Sequence, residues 1–296
     1  MCIRDRSIGM PSLFDVEIVV LTTIRWVLST LFPLIAGTFG PMASTFNICA
    51  VAISWRAIVS PDSKESEGQK LADPNWLVAV NATSLAIAII ANLFLLGHMT
   101  GRLRFNVAMP VVLVGWYIAG LLDVALVAAA PTYVPLPDND MATYSQAYFY
   151  CAFSAAIYVI LSIMLTMTAW GVWIGNYSSE FKLSLAQRSL MLQTILFLAY
   201  VLVSAVVYDV IEGWTYLDAF YFVIVTLFTI GFGDLTPQTH LGRSLFFPFA
   251  VGGILFVGLI IANIRTLVLE SGSKKISTRL VEKARFKALE LSLIHI

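Results

Sequence analysis

Six apolar runs, each long enough to cross a bilayer as a helix, dominate the chain: Val27 to Ser54, Trp76 to Gly97, Val107 to Ala130, Ala147 to Val172, Leu190 to Ile211 and Leu245 to Leu267. In hydrocarbon a backbone satisfies its polar groups only as helices or as a closed barrel, and runs of this length select helices. The expected fold class is therefore an all-α membrane protein. Composition agrees, with 59% of the 296 residues hydrophobic, 12% charged and a mean hydropathy of +0.84. That balance excludes an ordinary soluble domain.

The formal net charge of zero says little, because what matters is where each Lys and Arg sits relative to the spans. Lys274, Lys275, Arg279, Lys283, Arg285 and Lys287 follow the last run, which places that end in the cytosol. Counting back, the loops holding Arg102 and Arg104, and Lys182 and Arg188, also fall inside. The loop from Pro131 to Gln146 has Asp138 and Asp140 but no Lys or Arg, and falls outside. Both ends are expected in the cytosol, in what is expected to be the plasma membrane. The segment Arg56 to Asn75 is mixed in sign and does not discriminate. Trp26, Trp55, Trp76, Trp170 and Trp173 lie at span boundaries, where interfacial anchoring accounts for them. Asn81, in a sequon inside the second run, and Asn176, in a sequon on a cytosolic loop, are not expected to carry glycans.

Both termini are expected to derive from a library adapter rather than from the natural protein. The first five residues, MCIRD, and the last six, LSLIHI, back-translate to one DNA element read on opposite strands. Residues 1–6 and 291–296 are therefore set aside from the fold, and the natural protein is expected to continue past them. Between them come a cytosolic segment at 7–26, a four-helix membrane region at 27–172, a cytosolic linker at 173–189, a helix–loop–helix region at 190–270 and a basic linker at 271–290. Cys49 and Cys151 sit in apolar runs, and His98, His240 and His295 are scattered, so no disulfide or metal spacing is present and no cofactor is expected.

Between the fifth and sixth runs, WTYLDAFYFVIVTLF (Trp214 to Phe228) is too short to cross the membrane and apolar enough to enter it. Thr215, with Asp218 three residues on, reads as an N-terminal capping box, and Thr226 lies near the far end. A re-entrant helix is expected here. Non-helical backbone at membrane depth is tolerated only where it is buried in protein or lines a watery path, and Thr229-Ile230-Gly231-Phe232-Gly233 must do one or the other. These five residues resemble the potassium-channel filter pattern usually written TVGYG, with Ile for Val and Phe for Tyr. An ion shedding its water needs a stack of inward carbonyls, and glycine at alternate positions accepts the backbone angles this requires. The carbonyls of Thr229, Ile230, Gly231 and Phe232 are expected to hold K+, with the Thr229 hydroxyl as the innermost oxygen. Ile230 and Phe232 are expected to turn outward and pack on the re-entrant helix, whose negative end faces the ion path.

On FTIGFGDLTP (Phe228 to Pro237), LGRSLFFPFAVGGILFVGLIIANIRTLVLE (Leu241 to Glu270) and, more weakly, FPLIAGTFGPMAS in the first run, the chain resembles the fungal outward-rectifying potassium channels of the TOK family. That resemblance implies eight spans and two pore loops in the whole protein, a homodimer that brings four loops around one axis, and a passive outwardly rectifying K+ conductance. The chain matches the six-span half with the first loop. A pore-loop potassium transporter, or a truncated non-conducting piece, stays open as the alternative. An intramembrane enzyme is not expected, because no catalytic pair lies at membrane depth.

The fourth run carries none of the arginines that charge-moving voltage sensors need. Gly252, Gly253 and Gly258 read equally as a gate hinge or as close helix packing, and Pro248 as a kink. Asp209 and Glu212, with Asp234 after the filter motif, are expected to make the outer mouth negative. Asp123, an intramembrane carboxylate, is either a functional site or a structural group bonded to Asn81 or Asn92. The basic stretch from Ser273 to Lys287 reads as a linker rather than as a helix on anionic lipid.

Overall fold

The computed structural model describes residues 27–59, 68–137, 142–175 and 184–294, with side chains up to residue 269 apart from Gln69. The expectations for Trp26, Asp138, Asp140, Asn176, Lys182 and the basic side chains past 269 fall outside the described residues. The chain divides into two compact units, residues 1–183 and 184–296.

The first unit opens with a π-helical turn, Val27–Leu31, which runs into α1 (Phe32–Ala52). It continues with α2 (Asn75–Met99), α3 (Phe105–Tyr133) and α4 (Gln146–Trp173). α1 packs on α4 and α2, and α3 packs on α2 and α4, which makes a four-helix bundle. Small residues let the helices approach closely. A Cβ on Gly40 would meet Asn92 Oδ1 and Trp116 at 2.6 Å, and one on Gly115 would meet the Ala91 methyl at 2.9 Å. In a membrane, where lipid tails are as apolar as leucine, such close van der Waals packing is a main source of helix association.

The sequence gives no hint of the short antiparallel sheet at one end of this bundle, in the order β2-β1-β3: β1 (Arg56–Ile58), β2 (Gln69–Leu71) and β3 (Ala142–Tyr144). Arg56 stands opposite Leu71 on one side and Tyr144 on the other. The Arg56 guanidinium approaches the Asp73 carboxylate at 3.6 Å, and the Trp55 amide donates to the same carboxylate at 2.6 Å. Trp55 is buried and its indole N–H donates to Ala50 O at 2.9 Å, so it is a core residue and not the interfacial anchor expected. Trp76, Trp170 and Trp173 are exposed, as anchors are.

The second unit holds α5 (Leu185–Glu212), α6 (Tyr216–Leu227) and α7 (His240–Ile294). α5 begins with a complete capping box between Ser184 and Gln187 and ends at Gly213, whose φ of 70° supplies a left-handed cap. α6 has 12 residues, about 18 Å at 1.5 Å per residue, against about 30 Å of hydrocarbon. α7 has 55 residues and stays helical through the stretch expected to be a linker. Asn263 of α7 donates to Ser189 at 3.2 Å and to Gln193 of α5. Among the described residues six helices, α1 with its leading turn, α2 to α5, and α7 over His240–Leu269, are long and apolar enough to cross a membrane.

Because Gly40 leaves no room for a side chain, Gly40→Val should lower the stability of the purified protein in detergent, at the scale of about 1–3 kcal/mol typical of overpacked cores. Thermal unfolding of the variant beside Gly40→Ala checks it, with the alanine variant expected between wild type and valine.

Candidate functional site

α6 is held between α5 and α7 by aromatic side chains. Phe222 of α6 meets Tyr208 of α5 edge to face at 4.9 Å and Trp214 at 5.2 Å, and Tyr208 meets Phe249 of α7 at 5.2 Å. Such pairs stabilise beyond the area they bury. At the start of α6, Thr215 Oγ1 accepts from the Asp218 amide at 3.3 Å and donates to the Asp218 carboxylate at 2.7 Å. Thr215 is thus the expected cap, and Asp218 sits in the first turn, where a negative charge is favoured.

The end of α6 fixes the segment that follows. Thr229 N–H donates to Thr226 O at 2.9 Å and Ile230 N–H to Val225 O at 2.9 Å, with Gly231 N–H reaching the same carbonyl at 3.3 Å. The first two bonds are those of a Schellman motif, with Phe228 as C-cap and Thr229 in the position that glycine normally takes. Thr229 accordingly has φ of 58°, the one positive φ outside glycine among the described residues. A β-branched residue in this region is strained, at a cost of order 1–3 kcal/mol.

Peptide planarity turns these bonds into an orientation. In a trans peptide the C=O points opposite to the N–H it shares a plane with. The amides of Thr229, Ile230 and Gly231 point back at α6, so the carbonyls of Phe228, Thr229 and Ile230 point away from it. Positive φ recurs at Gly231 (61°) and Gly233 (78°) and is absent at Ile230 and Phe232 between them. Such alternation of hand is how a backbone sets its amides along one side, as in an anion nest, and so its carbonyls along the other. Among the described residues, no hydrogen bond is accepted by a carbonyl from Thr229 to Gly233. The glycines are needed for their φ alone, since a Cβ at either would meet nothing within 4 Å of the same chain.

Ile230 and Phe232 are 54% and 68% exposed. Both side chains turn outward, as expected, and stand largely exposed on the single chain. Beside the loop lies a cavity of about 530 Å³ lined by Phe222, Thr226, Thr229 and Phe246 among others.

Glu212 is not a free outer-mouth charge. Its carboxylate accepts from the Gln238 amide at 2.8 Å, the Thr239 amide at 3.3 Å and the Thr239 hydroxyl at 2.6 Å, and Thr239 Oγ1 in turn accepts from Gly242 N–H at 3.0 Å. The end of α5 therefore caps the start of α7 and clamps the chain just after the loop. Sequence reading missed Thr239, Gly242 and Arg243. A Cβ on Gly242 would lie 1.9 Å from Glu212 Oε1, and Arg243 donates to Pro237 O at 3.0 Å and to Gln238 Oε1 at 3.2 Å. Asp234 is exposed and interacts electrostatically with Tyr221 of α6. Asp209 is half-buried on α5, and its carbonyl takes the Gly213 amide at 2.9 Å.

The three glycines of α7 that read as hinge or packing, Gly252, Gly253 and Gly258, differ. A Cβ on Gly253 would fall 2.0 Å from Leu227 of α6 and one on Gly252 2.9 Å from the Tyr200 hydroxyl, whereas Gly258 faces open space. Close packing accounts for the first two. That Tyr200 hydroxyl donates to Phe249 O at 2.7 Å, next to Pro248.

Residues 195–270 match a family model described as ion channel. Over 81 residues, 27% of this chain and 24% of the relative, the chain is 33% identical to potassium channel protein 1 of Methanocaldococcus jannaschii. It is 44% identical over 57 residues to potassium channel subfamily K member 10 of Homo sapiens, 18% of this chain and 11% of the relative. With subfamily K member 2 of Rattus norvegicus it shares 40% over 74 residues, 23% and 17% of the two chains. The chain thus spans about a quarter or less of the length of the curated relatives it matches.

Removing the Glu212 side chain should loosen the segment after the loop. Glu212→Ala is expected to speed hydrogen exchange at the Gln238 and Thr239 amides at least about tenfold, the scale of one lost charge-assisted bond. Exchange mass spectrometry on the 235–243 segment reads this, and Glu212→Gln should fall between.

Proposed function

We propose that the second unit contributes one pore loop to a potassium-selective channel, with K+ coordinated by the carbonyls of Thr229, Ile230, Gly231 and Phe232 and by the Thr229 hydroxyl. The observation that carries this is the capped end of α6. It commits three consecutive amides to the helix and so aims the carbonyls of Phe228, Thr229 and Ile230 away from it, and positive φ recurs at Thr229, Gly231 and Gly233. A row of outward carbonyls without protein donors is what a dehydrated cation requires. The matches of residues 195–270 to the ion-channel family and to proteins named potassium channels support the same reading. The glycine-rich turn is thereby functional, and not merely a packing device.

One loop does not close a filter, so the pore is assembled from several loops. The exposed Phe232 and the neighbouring cavity edged by Phe222 and Phe246 suit contact between adjacent loops, an aromatic of one seated beside the aromatics of the next. The resemblance to fungal outward rectifiers extends the proposal to a two-loop chain working as a homodimer in the plasma membrane. Both ends of this stretch then lie in the cytosol, and conduction is passive and favours outward flow. Asp234, at the loop's far edge, adds negative potential where cations enter or leave.

The strain at Thr229 separates two effects. Thr229→Gly should stabilise the end of α6, by about 1 kcal/mol from relief of the positive φ, while lowering selectivity for K+ over Na+ through loss of the hydroxyl. Gly231→Ala should abolish K+ current, because a Cβ penalises the φ of 61°. Whole-cell recording of the protein with its natural continuation, at several external K+ concentrations, checks both. A reversal potential that tracks the K+ equilibrium potential in wild type is the expected result. Selective current surviving in Gly231→Ala would remove the filter from these residues.

A further inference from the structure

The four-helix unit carries a line of buried polar side chains that conduction through the second unit does not use. On α1 these are Ser44 and Asn47, on α2 Asn81 and Ser84 with the half-buried Asn92 beside them, on α3 Asp123, and on α4 Ser154 and Tyr158. Asp123 is fully buried. Its Oδ2 accepts from Asn47 Nδ2 at 2.9 Å and from Ser154 Oγ at 2.9 Å, not from Asn81 or Asn92. Asn92 instead donates to Gly40 O and Ser44 Oγ. Asn47 Nδ2 also reaches Ser84 Oγ at 3.3 Å, and Ser84 donates to Ala119 O at 3.1 Å.

This network leaves acceptors over. Asp123 Oδ1 and Asn47 Oδ1 are buried without a partner, as are both amide atoms of Asn81. No Lys, Arg or His takes part in the hydrogen bonds around Asp123. A carboxylate in hydrocarbon without a countercharge costs several kcal/mol, and unpaired buried acceptors add to it. Asn81 lines a cavity of about 260 Å³, together with Asp73 and Leu77, at the sheet end of the bundle. Ser84 lies three residues further along the same helix as Asn81.

We infer that Asp123, with Asn47, Ser84 and Ser154, forms a site for one monovalent alkali cation of sodium size. All the ligands are hard oxygens, which suits an alkali or alkaline-earth ion. A single carboxylate neutralises a monovalent ion, whereas a divalent one would leave a net charge in the bundle. The bound ion would tie α1, α2, α3 and α4 together at one level of the bundle. The site stands apart from the filter reading and does not depend on it.

The test uses the purified full chain in detergent at fixed potassium and fixed ionic strength, with sodium chloride exchanged for choline chloride. Thermal unfolding is expected to shift upward by about 2 °C or more as sodium rises toward about 300 mM, because a ligand bound only by the folded state stabilises it. Asp123→Asn, close to isosteric, should fold and lose the shift, and Ser84→Ala should weaken the apparent sodium affinity several-fold. Gly231→Ala should keep the shift, since the filter is elsewhere. Equal midpoints in sodium and choline, or a full sodium shift retained by Asp123→Asn, would overturn the site. So would a midpoint that responds to pH but not to sodium, which would make the occupant a proton, or a shift lost in Gly231→Ala, which would place the ion in the filter.

Discussion

A peptide group inside hydrocarbon has to find a partner, and the second unit is organised around the one place where its helix cannot supply them. α6, with 12 residues, is too short to cross the hydrocarbon; on the proposed reading it ends at membrane depth, where its last carbonyls need donors and the following backbone needs an environment. Both demands are answered by one local device. The amides of Thr229, Ile230 and Gly231 return to Val225 and Thr226, which completes the helix end, and the rigid peptide plane then directs the carbonyls of Phe228, Thr229 and Ile230 the opposite way. Carbonyl orientation here is a consequence of capping and needs no separate scaffold.

That device is held at both ends. Toward α6, the cluster of Tyr208, Trp214, Phe222 and Phe249 fixes the helix against α5 and α7. Past the loop, the Glu212 carboxylate gathers the amides of Gln238 and Thr239 and leaves no room for a side chain on Gly242. The loop is thus anchored on each side while its own backbone makes few bonds. A β-branched residue with φ of 58° persists only when its surroundings over-determine it, and these anchors are the surroundings that do so.

Much of this was legible in the sequence, for reasons that separate cleanly. The six spans follow from run length alone, and the Thr215 cap and the short α6 from local spacing. The glycines at 231 and 233 announce their positive φ because no other residue adopts it cheaply. Thr229 gives no such signal, since its φ is imposed by a Schellman motif whose C′ residue is usually glycine. The hydrogen bonds of Glu212 were not legible because its partners lie 26 and 27 residues away, beyond any local pattern. Trp55 read as an anchor because the sheet that buries it pairs three-residue strands with no alternation to detect. The helical course of α7 past residue 270 was obscured by its basic composition, which suits a linker equally well.

The two units place their polar groups in opposite ways. In the second, the polar atoms that the proposed reading puts at membrane depth are backbone carbonyls, while the surrounding side chains are aromatic and aliphatic. In the first, the backbone is consumed by helices and the polar atoms are side chains, on helix faces that meet inside the bundle, with Asp123 at the centre. Carbonyls supply partial charge without a formal one, so an ion among them can leave as readily as it enters. A carboxylate supplies a whole charge, so an ion beside it stays. The same solvent constraint therefore leads, on the proposed readings, to a site built for passage in one unit and to a site built for retention in the other.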